Sequence, residues 1–364
     1  MEKKRKENGK MQKGIEDSNI LRYEPLITPS DLKSSIRSVR KAEATVRQSR
    51  LDIQNILRSD GDKRLLVVCG PCSIHDPDAA KDYSERLNDL SGKVNDNMLL
   101  VMRTYFEKPR TTLGWKGFAY DPYINGGDGI NDGLKISRHL LLNNANMGLP
   151  SATEFLDPIV AQYFADLISY GAIGARTVES QIHRQMASGL SMPVGFKNST
   201  SGNVQASVDA ALTARNNHGF FGQDPHGVLS AVYTSGNKGS HIILRGGSSG
   251  PNYYIDNVND ALNLLRAANL PDRLVIDASH GNSGKDYAKQ PIIFEYIIEQ
   301  IVKRVPGSEG IAGIMLESNI VGGRQGENMP MTYGQSITDS CIGWDTTCEL
   351  IMDAHKTLNA MRRG

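Results

Sequence analysis

Eight short apolar runs between residues 65 and 318 constrain the fold of this 364-residue chain more than any other feature. They are LLVVC (65–69), MLLVMR (98–103), LPSATEF (149–155), AIGAR (172–176), MPVGFK (192–197), HIILR (241–245), RLVIDASH (273–280) and GIAGIMLES (310–318). Most are separated by amphipathic stretches, such as 79–90, 159–170 and 258–269. Short, nearly continuous apolar strands that alternate with helices are typical of a parallel sheet covered on both faces. Eight such units predict an α/β fold, the (β/α)8 TIM barrel, with a doubly wound open sheet as the alternative.

Three segments stand apart from this repeating pattern. Residues 1–14, MEKKRKENGKMQKG, are basic and no apolar run follows them, which predicts a disordered, solvated tail rather than a signal peptide. Residues 15–60 have helical spacing, with a helix start at TPSDL (28–32) where Ser30 or Asp31 can act as the cap, and predict an N-terminal extension. The barrel is expected over 61–364, and residues 220–236, FFGQDPHGVLSAVYTSG, predict a β-hairpin inserted before its sixth strand.

The composition excludes several classes of protein. Lys and Arg number 41 and Asp and Glu 40, so the net charge of +1 provides no global field for nucleic acid or an anionic membrane. The chain contains no apolar run of about 18 residues, the length that a transmembrane helix needs. Four cysteines, at positions 69, 72, 341 and 348, are too few for a disulfide scaffold in a chain of this length. They predict a reducing compartment, the cytoplasm.

Charged or reactive side chains follow the apolar runs. In order along the chain they are Cys72, Arg103 with Lys108 and Arg110, Glu154, Arg176, Lys197, Arg245, His280 and Glu317. In a TIM barrel the carboxyl ends of the strands surround one mouth, where active sites lie. Six cations there would repel one another unless anions balanced them, and arginine suits bidentate recognition of phosphate and carboxylate. The pattern therefore predicts a pocket for two phosphorylated ligands, or for a phosphate and a carboxylate.

A second set of residues offers metal ligands. Cys72, His280, Glu317 and Asp339 supply one sulfur, one nitrogen and two carboxylate groups from separate strand ends. Such a mixed set suits a borderline divalent ion in a catalytic site with one open position. His75 and Asp76 compete with Cys72 as ligands, although a His-Asp pair at the start of a helix more often only caps it.

Seven motifs together resemble one enzyme family. They are GPCSIHDP, MRTYFEKPRTTLGWKG, GAIGARTVESQIHRQMASGL, PVGFKN, HIILRGG, DASHGNSGKDY and SITDSCIGW. From about residue 20 to the C-terminus the chain resembles class I 3-deoxy-D-arabino-heptulosonate 7-phosphate (DAHP) synthase of the feedback-regulated type, most closely the tyrosine-sensitive isozyme. The resemblance implies a transferase that condenses phosphoenolpyruvate with erythrose 4-phosphate at the start of the shikimate pathway. The related eight-carbon sugar-acid synthase, which uses arabinose 5-phosphate, is the alternative, but the long KPRTT stretch favours the seven-carbon product.

The resemblance also implies roles for individual residues. Cys72, His280, Glu317 and Asp339 would bind one divalent metal ion per subunit, with Mn²⁺ preferred over Fe²⁺, Co²⁺ and Zn²⁺. Arg103, Lys108, Arg176, Lys197 and Arg245, with the backbone of Gly174 and Ala175, would hold phosphoenolpyruvate. Arg110, Thr111 and Thr112 would hold the phosphate of erythrose 4-phosphate. Lys108 is the candidate for protonating the nascent alkoxide or steering water, and His280 is expected to be a ligand rather than a general base.

Regulation and assembly are implied in the same way. The resemblance implies a homodimer or homotetramer that is inhibited by an aromatic amino acid, with tyrosine as the first choice. In the family the inhibitor pocket lies away from the active site, near the residue matching Ser191 and the N-terminal segment of a neighbouring subunit, so residues 15–60 are expected to serve regulation and association. Ala161 stands where members commonly carry a proline that pre-sets the backbone, and this departure weakens the expectation of tyrosine inhibition.

The spacing of the C-terminal cysteine leads to one further expectation. Cys341 follows Asp339 by two residues, so both side chains point to the same side if SITDSCI is extended. Cys341 is therefore expected near Cys72. In the metal-free enzyme a low-pKa Cys72 thiol beside a second thiol would form a reversible disulfide.

Overall fold

The computed structural model describes residues 15–58, 61–127, 129–327 and 330–363, and the predicted basic tail, 1–14, lies outside the described residues. The strands are β1 (Leu65–Gly70), β2 (Met98–Arg103), β3 (Ser151–Glu154), β4 (Tyr170–Ile173), β5 (Val194–Lys197), β6 (His218–Gln223), β7 (Leu229–Thr234), β8 (His241–Leu244), β9 (Leu274–Asp277), β10 (Ile311–Glu317), β11 (Val321–Arg324) and β12 (Gln335–Ser336). Eight of them, β1–β5 and β8–β10, pair in parallel, and β1 hydrogen-bonds to both β2 and β10. The sheet is therefore closed, which confirms the TIM barrel and excludes the open sheet.

Helices surround the barrel and extend it at the N-terminus. They are α1 (Pro29–Ser35), α2 (Arg40–Arg58), α3 (Pro77–Val94), α4 (Ile130–Met147), α5 (Ala161–Phe164), α6 (Gln181–Gly189), α7 (Gln205–Ala214), α8 (Ile255–Ala267), α9 (Gln290–Val302) and α10 (Trp344–Arg363). The cap of α1 is Thr28, not Ser30 or Asp31, because Pro29 already occupies the first turn and the Thr28 hydroxyl accepts a hydrogen bond from the Asp31 amide.

The barrel strands read as continuous apolar runs because both of their faces are buried. In β1, Leu66 and Val68 belong to the cluster that fills the barrel, whereas Val67 packs in the larger cluster that the outer helices complete. Cys69 belongs to that larger cluster too and is fully buried, as expected of a strand core residue. The inner cluster also takes Ile53, Ile56 and Leu57 from α2. Because the Ile56 carbonyl accepts a hydrogen bond from Arg273, which immediately precedes β9, α2 lies at the amino ends of the strands.

The predicted hairpin is present between α7 and β8. Strands β6 and β7 pair in antiparallel register, with Phe220 opposite Val232. The hairpin turn contacts the N-terminal extension, since the Ser30 amide donates to the Pro225 carbonyl at 2.8 Å.

Two boundaries around β4 differ from the sequence prediction. The helix expected over 159–170 is only α5 followed by a short 3-10 turn at Ala165–Leu167, and Tyr170 belongs to β4. Tyr170 pairs with Ala152 in the barrel ladder, so tertiary pairing outweighs the helical spacing of the segment. The strand predicted over 172–176 accordingly ends at Ile173, which leaves Arg176 in the loop beyond it.

Candidate active site

A pocket of about 220 Å³ lies at the carboxyl ends of the barrel strands. Its lining includes all six cations that the sequence places after strands, together with Lys285. Arg103 and Lys197 are the last residues of β2 and β5, and the loops after the strands bring the others to the same mouth. Also in the lining are Thr111, Thr112, Glu154, Ala175, His280 and Asp339.

Arg103 is buried at the base of this pocket. Only 1% of the residue is exposed, and its Nη2 atom lies 3.1 Å from Oε1 of Glu317. Its guanidinium carbon is 4.0 Å from the centre of the Tyr105 ring, which adds a cation–π contact. A guanidinium this deeply buried requires such partners, because an unpaired charge in the interior is strongly destabilising.

Lys197 lies between two buried carboxylates. Its Nζ atom is 3.5 Å from Glu154 Oε2 and 3.2 Å from Asp277 Oδ2. Burial favours the neutral acid, yet the charges of His280 and Lys197 hold the pKa of Asp277 well below its ordinary value. Lys197 is therefore held charged and in a defined position at the pocket floor.

Three arginines of the pocket have guanidinium N–H groups without partners. Among the residues that the structure describes, Nη1 of Arg103, Nε of Arg110 and Nε of Arg245 are buried and make no hydrogen bond. Buried donors in native proteins are nearly always paired, and an unpaired one costs roughly 1–3 kcal/mol. Three such donors around one pocket indicate a ligand rich in acceptor oxygens.

The residues expected to hold the two substrates touch each other. Arg176, assigned by the sequence to phosphoenolpyruvate, donates from Nε and Nη2 to Oγ1 of Thr111, at 3.2 and 3.1 Å. Arg110 lies 3.7 Å from Glu327 on the next segment. The residues predicted for the two substrates thus lie next to each other in one pocket.

Three of the four predicted metal ligands come together beside the pocket. Cys72, Glu317 and Asp339 each offer a ligand atom within 4.8 Å of the other two. Nε2 of the fourth, His280, lies 3.5 Å from Glu317 Oε1, and the ring is oriented by hydrogen-bonding distances of 3.0 and 2.8 Å from Nδ1 to Asp277 and Ser279. A thiol, two carboxylates and a nearby imidazole fit a borderline divalent ion.

Lys108 joins the metal-ligand cluster to the anion pocket. Its Nζ atom is 2.7 Å from Cys72 Sγ and 3.2 Å from Asp339 Oδ2. Burial alone would lower the pKa of Lys108, but the neighbouring Cys72 and the carboxylates of Glu317 and Asp339 raise it instead, so the ammonium keeps its proton. The same ammonium helps to hold the pKa of Asp339 below its ordinary value against the opposing effect of burial.

The expectation of a low pKa at Cys72 is wrong. Cys72 is fully buried, and burial raises the pKa of its thiol to about 11. The carboxylate of Glu317 adds to this increase, and Lys108 offsets only part of it. Cys341 is also buried, and its thiol donates to the Asp339 carbonyl at 3.7 Å. Burial raises the pKa of this thiol and the adjacent Cys72 backbone partly offsets the increase, so the expected proximity of the two cysteines is confirmed.

The remaining residues predicted for substrate or metal binding lie at the pocket or have structural roles. Ala175 lines the pocket, whereas Gly174 packs against Glu154 so closely that a Cβ atom would collide with the carboxylate. Asp76 caps α3 by accepting hydrogen bonds from the amides of Asp78 and Ala79, which is the structural role weighed against metal binding. Its neighbour His75 is buried, and burial lowers its pKa.

Comparisons with known proteins identify the family of the chain. Residues 45–351 match the DAHP synthetase I family. The chain belongs to this family. It is 47% identical to the Tyr-sensitive phospho-2-dehydro-3-deoxyheptonate aldolase of Escherichia coli, covering 96% of this chain and 98% of that protein. It is 49% identical to the Trp-sensitive enzyme of the same organism, over 91% and 94% of the two chains. The structure of phospho-2-dehydro-3-deoxyheptonate aldolase from Francisella tularensis superposes with a TM-score of 0.92 at 47% identity, covering 95% of this chain and all of that one.

Sequence reasoning selected Glu154 as a strand-end residue without a role, and it missed three other residues of this site. Asp277 ends β9 and pairs with Lys197, as Glu154 at the end of β3 does, so the strand-end argument could have selected Asp277 too. Tyr105 and Lys285 lie in loops, and only the fold brings them to the pocket.

A second, larger groove of about 750 Å³ is present in this member of the family, away from the mouth of the barrel. It lies between α5, α6 and the β6–β7 hairpin, and both Ala161 and Ser191 line it. Ala161 is the first residue of α5 and is buried. Within the described residues, no helix is long and apolar enough to span a membrane.

Proposed function

We propose that this chain catalyses the DAHP synthase reaction, the condensation of phosphoenolpyruvate with erythrose 4-phosphate that yields DAHP and phosphate. The observation that carries the proposal is the set of unpartnered buried N–H groups on Arg103, Arg110 and Arg245 beside a cluster of metal-type ligands. Two phosphorylated substrates supply the acceptor oxygens that these donors lack. Relatives of the same length are named for this activity, which starts aromatic amino acid biosynthesis.

The residues of the pocket divide between the two substrates. Arg103, Lys197 and Arg245 would hold the phosphate and carboxylate of phosphoenolpyruvate, with Arg176 and the Gly174–Ala175 backbone at its edge. Arg110, Thr111 and Thr112 would hold the phosphate of erythrose 4-phosphate. Holding both substrates converts an encounter in solution into a positioned reaction, an effect worth up to roughly 7–11 kcal/mol. The methylene carbon of phosphoenolpyruvate then attacks the aldehyde carbon, water adds to the former enol carbon, and phosphate leaves by C–O cleavage.

Cys72, Glu317, Asp339 and His280 would hold one divalent metal ion, which supplies Lewis-acid polarisation of the aldehyde oxygen. The mixed sulfur, nitrogen and oxygen donor set supports Mn²⁺ first, with Fe²⁺, Co²⁺ and Zn²⁺ as alternatives. Lys108 would protonate the alkoxide formed at the aldehyde oxygen, because its ammonium lies between the ligand cluster and the pocket and retains its proton.

The large groove would be the inhibitor site, with tyrosine as the first aromatic amino acid to test. Its volume lies within the range of small-molecule pockets, and Ser191 and Ala161 line it. Relatives named Tyr-sensitive and Trp-sensitive are similarly close to this chain, which supports an aromatic effector without selecting one.

The chain would work as a homodimer or homotetramer in the cytoplasm. Phe221, Leu229 and Tyr233 form an apolar face on the hairpin and are 100%, 89% and 83% exposed, which supports a subunit interface there. Residues 15–60 would take part in association and regulation, because Tyr163 of α5, beside the groove, donates a 2.6 Å hydrogen bond to the Ile27 carbonyl. Four free cysteines support a reducing compartment.

A turnover assay tests the reaction. The purified chain is treated with a chelator, each metal ion is added back, and phosphate release is followed with erythrose 4-phosphate or arabinose 5-phosphate as the acceptor. Metal-dependent turnover with erythrose 4-phosphate and little with arabinose 5-phosphate is expected. Preference for arabinose 5-phosphate, or binding of phosphoenolpyruvate without turnover, would contradict the proposal. Initial rates at saturating tyrosine, phenylalanine and tryptophan identify the effector, and unchanged rates with all three would rule out an inhibitor site.

A further inference from the structure

A small cleft lies at the end of the barrel opposite the active site. Its wall includes His241, which begins β8, and Arg273, which immediately precedes β9, so the cleft is at the amino ends of the strands. Leu57 and Arg58 at the end of α2 form another side. The enclosed part has a volume of about 20 Å³, which is room for one or two oxygen-sized atoms.

Four cations surround this cleft without a carboxylate to balance them. They are Arg58, Arg215, Lys238 and Arg273. In the part of the chain that the structure describes, none of the four has a carboxylate oxygen within 4.0 Å, in contrast to the paired cations of the active-site pocket. The neighbouring acid, Asp272, forms its ion pair with Arg266 at 3.0 Å instead.

Carbonyl groups hold three of these cations in place. Arg215 donates to the Lys238 carbonyl, and the Lys238 ammonium donates to the Arg215 carbonyl at 2.8 Å. Arg273 donates from Nη2 to the Ile56 carbonyl at 2.8 Å. Carbonyl oxygens orient a cation but do not cancel its charge, so the positive charges remain close together. Burial and the charge of Arg58 both lower the pKa of Arg215.

Two buried donors at the cleft are without partners. Ser240 is only 3% exposed, and its hydroxyl makes no hydrogen bond among the described residues. Nε of Arg273 is likewise buried and unpartnered. The imidazole of His241 adds neither a free donor nor a charge to the cleft. Its two nitrogens are engaged with Tyr170 and Gly239, and burial lowers its pKa to about 4. The cleft thus combines uncompensated positive charge with unsatisfied donors, and both are properties of an oxyanion site.

We propose that this cleft binds a phosphate group. Four cations favour a dianion over a singly charged carboxylate, and the enclosed volume admits one or two of its oxygens beside Ser240 and Arg273. Arg58 and Lys238 are exposed and would contact the remaining oxygens from the solvent side. The group could be supplied by inorganic phosphate, which the enzyme itself releases, or by a phosphorylated sugar.

Binding of radiolabelled orthophosphate to the full chain tests this site by equilibrium dialysis in saturating phosphoenolpyruvate and metal. The double variant Arg58→Gln/Lys238→Gln removes two exposed charges of the cleft, and Lys303→Gln/Lys356→Gln removes two exposed charges elsewhere as the matched control. Any phosphate bound at the active-site mouth is common to all three proteins. We expect the unaltered chain and the control to bind one more phosphate per chain than the cleft variant, or to bind it about tenfold or more tightly.

Three further readings complete the test. Equal number and affinity of phosphate sites in all three proteins would overturn the proposal. Unchanged KM values for both substrates and unchanged thermal unfolding in phosphate-free buffer are expected of the cleft variant, so that a loss of phosphate binding reports on the cleft alone. Displacement of the cleft phosphate by glucose 6-phosphate supports a phosphoryl group on a larger molecule, and its retention supports the inorganic ion.

Discussion

Glu107, a residue that does not line the active-site pocket, is expected to hold the substrate loop in place. It directly precedes Lys108 and is only 3% exposed. Its carboxyl group accepts hydrogen bonds from the amides of Leu156 and Asp157 at 3.2 and 3.0 Å, and from the Tyr120 hydroxyl at 3.2 Å. These bonds tie the loop after β2 to the loop after β3.

The loss of stability expected for Glu107→Ala follows from the number of buried donors that lose their acceptor. Tyr120 retains Asp157 Oδ2 at 3.3 Å, so two amide groups lose their acceptor. At roughly 1–3 kcal/mol for each unsatisfied buried donor, the free energy of unfolding should fall by about 2–6 kcal/mol. Glu107→Gln retains one acceptor oxygen and should lose about half as much. KM for both substrates should rise in both variants, because Lys108 and Arg110 share the displaced loop.

The contribution of Glu107 to the stability of the folded chain is expected to depend on pH. Burial raises the pKa of Glu107 from 4.5 to about 8. Between these values the folded state holds a proton that the unfolded chain has released, so the contribution of Glu107 to stability falls as the pH rises from about 4.5 to 8. Glutamine does not titrate, and the stability difference between the native chain and Glu107→Gln should therefore shrink over this range.

Guanidinium denaturation at several pH values measures this difference, with the exposed Glu85→Gln as the control. The reasoning would be refuted if Glu107→Gln were as destabilising as Glu107→Ala, or if the difference from the native chain did not vary with pH. A rise in KM for only one substrate would show that the loop is not displaced as a unit.

Three other perturbations are expected to separate the parts of the active site. Cys72→Ser should leave a folded barrel whose metal affinity and activity fall together by about tenfold or more, and full activity in chelated enzyme would contradict the metal assignment. Arg176→Ala should raise KM for phosphoenolpyruvate roughly tenfold to a hundredfold, with little change in KM for the aldose. Arg176 is exposed, so its loss leaves no buried charge unpaired and the fold should be retained. Equal effects on both substrates would mean that the anion sites are wrongly assigned. Metal-free enzyme should inactivate in air through a Cys72–Cys341 disulfide and recover in dithiothreitol. Because the thiolate is the attacking group, inactivation should be slow at neutral pH and faster toward pH 11. Unchanged inactivation in Cys341→Ala would exclude the disulfide.

The sequence alone was sufficient for a parallel α/β sheet and for the composition of its mouth. Eight apolar runs alternating with helices predict a covered parallel sheet because a strand buried on both faces has no polar side, whereas the pairing of β1 with β10 decided for the barrel over the open sheet. Residues that follow such strands converge at one end, so the strand-end argument predicted the cations that line the pocket, including Arg103 and Lys197. The assignment of these residues to particular substrates remains a prediction.

Only the tertiary structure decided features that depend on contacts between distant segments. Helical spacing over 159–170 could not reveal that Tyr170 pairs with β3, and the residue types around Cys72 could not reveal that burial outweighs Lys108 in setting its pKa. The cleft at the amino ends of the strands likewise joins Arg58 to Arg273, which are far apart in the chain. The physical reason is common to all three: local propensity and residue type act over a few positions, whereas burial, pairing and uncompensated charge are determined by neighbours that only the folded chain brings together.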